Sequence, residues 1–166
     1  MALRRSEEAT MKPLFAVLKA HHMGYQVTVP QVYDAIGHPN LAQEPNWENT
    51  CAIRMSVALI AAGIKIRTGP ARLRIKAGKF KGEQLEPSQR VLSDFLVHEV
   101  GKPEKYRDGR DAHTHIDRRR GIISFFQLHG TRQGHIDLVS FEDWPLIQCS
   151  SACFWDSAEV WFWELH

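Results

Sequence analysis

The order of hydrophobic periodicities along the chain predicts an α+β fold with segregated helices and strands. Apolar residues recur at helical spacing up to about residue 100, and from Gly121 onward they gather into short β-branched and aromatic runs. Helical and strand patterns do not alternate, which argues against βαβ units and a parallel sheet. A chain of 166 residues is most simply a single domain, 1–166, with enough length to bury a core.

Residues 1–10 are charged and read as a frayed end. Leu14, Phe15, Val17, Leu18 and Met23 predict a first amphipathic helix stopped at Gly24. Pro30 opens a short helix through Val32 to Ile36, closed by Gly37, and residues 37–48 read as loop. The run from Trp47 to Ala62 follows, with the cap-type residues Asn49 and Thr50 before Cys51 and no Gly or Pro until Gly63. On a helix, Cys51, Met55, Ala58, Leu59 and Ala62 share one side, and Ile53, Val57 and Ile60 another. A helix apolar nearly all round belongs at the centre of the core.

Residues 65–82 hold seven basic side chains and no acid, punctuated by Gly and Pro. They read as a cationic loop or irregular hairpin, most simply a solvated face. Pro87 and Ser88 start a helix with the stripe Val91, Leu92, Phe95, Leu96 and Val100, ended by Gly101. Residues 102–120 are polar and rich in His and Arg, and read as a long surface loop. Residues 121–128, 135–140 and 160–165 read as strands with apolar residues on both faces.

Composition sets few limits. Hydrophobic residues make up 43% and charged residues 24%, and the formal charge of +2 implies no bulk attraction to nucleic acid or membrane. The N-terminal stretch has no apolar run of signal-peptide length, and nothing approaches a membrane span, which argues against membrane insertion and signal-directed export. Three cysteines make no disulfide scaffold: Cys51 stands alone, and Cys149 and Cys153 lie four apart.

Two constellations carry chemistry. Cys51 falls in the first turn of the central helix, where unpaired N–H groups and the helix dipole favour a thiolate nucleophile. His135 and Asp137, two apart on a strand, point from one face. A thiol at a helix start facing an imidazole on a sheet is a nucleophile–base pair assembled from distant segments. The bland readings are a buried structural Cys and a satisfied core His, one of nine histidines. The rival constellation is His113, His115 and Asp117, an H-x-H-x-D run that with His135 and Asp137 can ligate zinc. Arg107, Arg110, Arg118, Arg119 and Arg120 crowd that run and oppose a divalent cation, so no metal and no cofactor is expected. Only Phe80 interrupts the basic 65–82 run, too few aromatics for a nucleic-acid stacking platform.

The run N-T-C-A-I-R-M-S-V-A-L at 49–59 resembles the nucleophile segment of the type VI secretion amidase effectors, family four. V-G-K-P at 100–103, G-I-I at 121–123, G-H-I-D-L at 134–138 and C-S-S-A-C at 149–153 agree with that family in order. The resemblance implies a papain-like, NlpC/P60-type cysteine peptidase fold, with N-terminal helices packed on an antiparallel sheet. It also implies an amidase that cuts the peptidoglycan stem peptide between γ-D-glutamate and meso-diaminopimelate. Delivery would be by the type VI secretion apparatus, without a signal peptide, into the periplasm of a Gram-negative target. The implied partners are the stem peptide and a cognate immunity protein. By position Cys51 becomes the nucleophile and His135 the base, and the Cys149–Cys153 pair becomes a disulfide in an oxidising compartment.

One departure stands out, because the family's catalytic acid, between the paired cysteines, is replaced here by Ser151. Asp137 is then the nearest acid by strand geometry, with Ser151 and a more distant Asp143 or Asp156 as alternatives. Backbone N–H groups at the start of the central helix, Cys51's own included, would meet an oxyanion. Asn49 can cap the helix or touch substrate.

Overall fold

The computed structural model describes residues 11–24, 26–140 and 152–166. The expected fraying of residues 1–10, Asp143, Ser151 and the Cys149 half of the cysteine pair lie outside these residues.

Among the described residues, four α-helices precede the main sheet. Helix α1 (Phe15–His21) is followed by α2 (Val29–Ala35), a 3-10 turn (Pro39–Gln43), the central α3 (Cys51–Ala61) and, further on, α4 (Gln89–Glu99). The reason α2 starts where it does is a capping box. Thr28 accepts from the Gln31 amide at 3.4 Å, and the Gln31 side chain accepts from the Thr28 amide at 2.8 Å. The Ser88 side chain accepts from the Val91 amide and so opens α4. Helix α3 is buried from Cys51 through Ser56 and again from Ala58 through Ile60, the all-round burial that its composition predicts.

The main sheet is antiparallel, in the order β3 (Glu104–Tyr106), β6 (Glu159–Glu164), β4 (Gly121–Phe126), β5 (His135–Val139). Its two faces are covered separately. Ile122, Phe126, Ile136, Leu138, Trp161 and Trp163 pack with the N-terminal helices into one core. Ile123, Phe125, Val139, Val160 and Phe162 form a second core with α5 (Gly109–Ile116) and α6 (Ala152–Asp156). This double cover is the cause of the strands' apolar character on both faces.

The expected long surface loop at 102–120 is corrected by the structure, which places β3 and α5 there. Asp108 caps α5 by accepting from the Asp111 amide at 2.8 Å, and Ala112 and Ile116, four apart, bury the inner face. Strand β3 pairs with β6, and Arg119 grips Glu104 through two hydrogen bonds, at 2.6 and 2.8 Å, while reaching Glu164 at 3.2 Å. The polar composition of 102–120 therefore reflects an outer layer with one buried stripe. Part of the 37–48 loop is likewise the 3-10 turn.

Gly109 sets how closely α5 approaches α6. A Cβ there would lie 1.4 Å from the Phe154 carbonyl oxygen, and backbone cannot give way cheaply. Gly109→Ala is expected to cost about 3 kcal/mol, which lowers Tm by roughly 6–12 °C in a chain of this size. A thermal melt followed by circular dichroism checks it, and an unchanged Tm would mean that the two helices separate without cost.

The basic 65–82 run forms an irregular hairpin, with β1 (Leu73–Arg74) antiparallel to β2 (Gln84–Leu85). Lys65, Arg67, Arg72, Arg74, Lys76, Lys79 and Lys81 are all exposed. The hairpin is fixed to the body at Gly37, whose φ of +79° suits glycine, and beside it the Lys76 amide donates to the Ile36 carbonyl at 2.9 Å. A Cβ at Gly37 would meet the Ala77 nitrogen at 2.8 Å.

Candidate active site

Strand β5 lies at one edge of the described sheet, and α3 packs against it with α1 behind. His135 stands opposite Phe125 and Asp137 opposite Ile123 in the β4–β5 register, so both share the face lined by the second core. The imidazole stacks on the Phe125 ring at 6.4 Å between centroids, with 16° between planes. That packing leaves the His135 ring little freedom.

Cys51 is free and buried, and its side chain is close enough to the His135 ring to raise the imidazole pKa. His135 Nε2 lies 2.9 Å from Asp137 Oδ2. With Nε2 engaged by the carboxylate, Nδ1 is the nitrogen left for the thiol. Asp137 is fully buried, and its Oδ1 accepts from the Leu138 amide at 2.8 Å. The two side chains thus lean together across the same-face spacing of the strand. Burial pulls the His135 pKa down, but the hydrogen bonds to Asp137 and Cys51 outweigh it and raise the value to about 10. The imidazolium is the favoured form in this site at neutral pH.

Asn49 is a strut at the site. Its Oδ1 accepts from the Cys51 amide at 3.2 Å, and its Nδ2 donates to the Gly134 carbonyl at 3.2 Å, tying the start of α3 to the residue before His135. Of the two cap-type residues, Thr50 makes no side-chain cap. Its hydroxyl accepts instead from Arg54 Nε at 2.9 Å.

Arg54 was silent in the sequence, because one Arg in an apolar helix reads as a solvent-facing position. It is 3% exposed, and its hydrogen bonds run to four neutral oxygens: Thr50 Oγ1 and the carbonyls of Met23, Gly24 and Val27. Burial lowers its pKa, while Asp137 and Cys51 act in the opposite direction. The guanidinium therefore brings a buried positive charge close to both the thiol and the carboxylate, and it fixes the segment after α1 against α3.

The zinc constellation is not assembled in this way. His113 and His115 sit on α5, His113 against Phe154 and Trp155, and His115 stacked on Tyr106 and paired with Asp111 at 3.3 Å. Asp117 follows the helix with φ +46°. No group of three or more His, Cys, Asp or Glu able to hold a metal ion occurs among the described residues. Asp156 is exposed at the end of α6. Beside Asn49 a cleft of about 500 Å³ opens, lined by Asn46, Trp47, Ala71, Leu73, Pro87 and Ser88. Its walls come from the loop before α3, the foot of the basic hairpin and the start of α4. No helix among the described residues is long and apolar enough to cross a membrane.

Comparison with known proteins gives one family and one fold. The family model for type VI secretion system (T6SS) amidase effector protein 4, Tae4, matches residues 47–163. The crystal structure of the type VI effector Tae4 from Enterobacter cloacae aligns with a TM-score of 0.70 at 20% identity, over 95% of this chain and 99% of that one. The Tae4–Tai4 effector–immunity complex from the same organism aligns at 0.72 and 20% identity, over 94% of this chain and 100% of that one. The Tae4–Tai4 complex from Salmonella Typhimurium gives 0.68 at 21% identity, over 94% and 100%. No curated protein matches the chain.

Proposed function

Since the chain belongs to the type VI secretion system amidase effector 4 family, we propose that it is a cysteine amidase cutting the peptidoglycan stem peptide between γ-D-glutamate and meso-diaminopimelate. The observation that carries this reading is the group Cys51–His135–Asp137, with a thiol close enough to the ring to raise its pKa and a buried carboxylate 2.9 Å from its Nε2.

In the proposed reaction the Cys51 thiolate attacks the amide carbonyl, whose oxygen takes up negative charge. The Cys51 amide, at the start of α3, faces that oxygen, and the long bond to Asn49 is the one it gives up. As the tetrahedral intermediate collapses, the C–N bond breaks and His135 gives its proton to the leaving amine. A thioester remains on Cys51. Water then adds its oxygen to the thioester carbonyl and passes a proton to His135, which restores the imidazolium as the acid product and the thiolate separate. Asp137 holds the ring by Nε2 and balances its charge throughout. The cleft beside Asn49 supports binding of an extended peptide next to the thiol.

The family's setting extends the proposal. The site of action is the target cell's periplasm, after delivery by the secretion apparatus. A Tai4-like immunity protein is the expected partner, as in the effector–immunity complexes of similar fold. Digestion of purified peptidoglycan followed by mass analysis tests the bond assignment. Fragments ending in γ-D-glutamate, with new amines on meso-diaminopimelate, are the expected result. Intact stems, or cuts at another bond, would overturn it.

A further inference from the structure

His22 is the side chain that this mechanism leaves unexplained. It follows α1 directly, its side chain is fully buried, and neither ring nitrogen has a hydrogen-bond partner among the described residues. An unpaired buried imidazole is a cost that a fold does not bear without a reason. Its Nε2 lies 3.8 Å from Asp137 Oδ1, the carboxylate oxygen that does not touch His135.

We propose that His22 is a positioning residue for Asp137: a neutral ring whose Nε2–H dipole faces Oδ1 and keeps Oδ2 on His135. The inference rests on the Cys51–His135–Asp137 reading above.

The surroundings of His22 fix both its charge and its tautomer. The charged and titratable groups that face it are Asp137 and His135 from β5 and Arg54 from α3. Burial lowers its pKa most, Asp137 works against that, and Arg54 and His135 add to the lowering, which leaves it at about 4. A neutral imidazole has one N–H and one lone pair. A lone pair on Nε2 would repel the carboxylate, so the proton belongs there. At 3.8 Å the contact is an ion–dipole interaction rather than a hydrogen bond, and it gains strength from the dry surroundings. A cationic His22 would compete with His135 for the carboxylate, and Arg54 opposes that. Arg54 also places the ring, since it grips the carbonyls of Met23 and Gly24, the two residues after His22.

The test compares His22→Leu, which fills the space without a donor, with His22→Gln, which restores an N–H in reach of Oδ1. Each full-length variant is checked by circular dichroism and then assayed for kcat and KM on muropeptides. Its Cys51 is also alkylated with iodoacetamide across pH. His22→Leu should lower kcat about tenfold with little change in KM, and shift the upper inflection of the alkylation profile, where the thiolate loses its imidazolium partner, down by about one pH unit. His22→Gln should recover most of both. A folded His22→Leu protein with wild-type kcat and profile would overturn the proposal. Equal losses in Leu and Gln variants with an unshifted profile would also overturn it, by reducing His22 to a packing residue.

Should His22→Leu fail to fold, nitrogen-15 spectra of the wild-type histidine rings decide the matter. A neutral ring protonated at Nε2 at pH 7 is expected, and a charged ring or an Nδ1–H tautomer would refute it. The alkylation profile does not depend on the substrate. A shifted profile in a protein that leaves peptidoglycan uncut would therefore sink the amidase reading and leave the positioning role standing.

Discussion

Cys51→Ala is expected to abolish peptidoglycan cleavage, a loss on the order of 10⁴-fold or more, while the fold persists. In the proposed reaction the change removes the atom that attacks the amide, and no other side chain placed at the site among the described residues replaces it. Cys51 is 2% exposed and sits among Ala52, Met55 and their neighbours, where an alanine fits with only a small void. The structural cost is therefore modest and the chemical cost nearly total. Wild-type protein directed to the periplasm should lyse cells, and the same protein kept in the cytoplasm should not. A folded Cys51→Ala protein that still lyses cells from the periplasm would sink the cysteine mechanism. Equal toxicity from both compartments would point to a cytoplasmic target.

The sequence made some of this site legible and concealed the rest, for physical reasons. Local patterns expose α3, α4 and the strands β4 to β6, because each carries its own periodicity, stop residue or cap. The two-residue spacing of His135 and Asp137 puts them on one face by strand geometry alone, and the 2.9 Å contact then needs only side-chain rotation. Helix α5 escapes because three buried residues in eight, one of them a glycine, leave almost no period to read. Strand β3 escapes because three residues gain their stability from pairing with β6 and from Arg119. Arg54 and His22 are hidden more deeply. Three of the four acceptors of Arg54 are carbonyls some thirty residues away, and the burial of His22 depends on where Arg54 draws the chain after α1. Neither fact has a local signature. The departure at Ser151 is different in kind. It is a change of residue type at one position, and with no carboxylate there the nearest acid by sequence is on the histidine's own strand.

Asp137→Asn should cost roughly 10²–10⁴ in rate, whereas Ser151→Ala should keep most activity. The asparagine keeps the shape of the carboxylate and removes its charge, so the ring is still held while the imidazolium loses its counterion. In the wild type burial opposes protonation of His135, and the bonds to Asp137 and Cys51 overcome it, to about 10. Without the carboxylate, burial gains ground and the pKa falls. The alkaline limb of the activity profile, where His135 can no longer protonate the leaving amine, should therefore move to lower pH in Asp137→Asn. Stability should follow the same sign. The folded pKa of about 10 lies above the ordinary 6.5, so the stabilisation is complete below about pH 6.5 and is lost as pH rises through 10. The gap in unfolding free energy between wild type and variant should accordingly be widest at or below neutral pH and close toward pH 10. Hydrolysis of muropeptides across pH, with denaturant unfolding at the same pH values, measures both effects. A folded Asp137→Asn enzyme with full activity and an unmoved alkaline limb would remove Asp137 from the mechanism. If Ser151→Ala were the inactive variant, the role would pass to the segment between the cysteines.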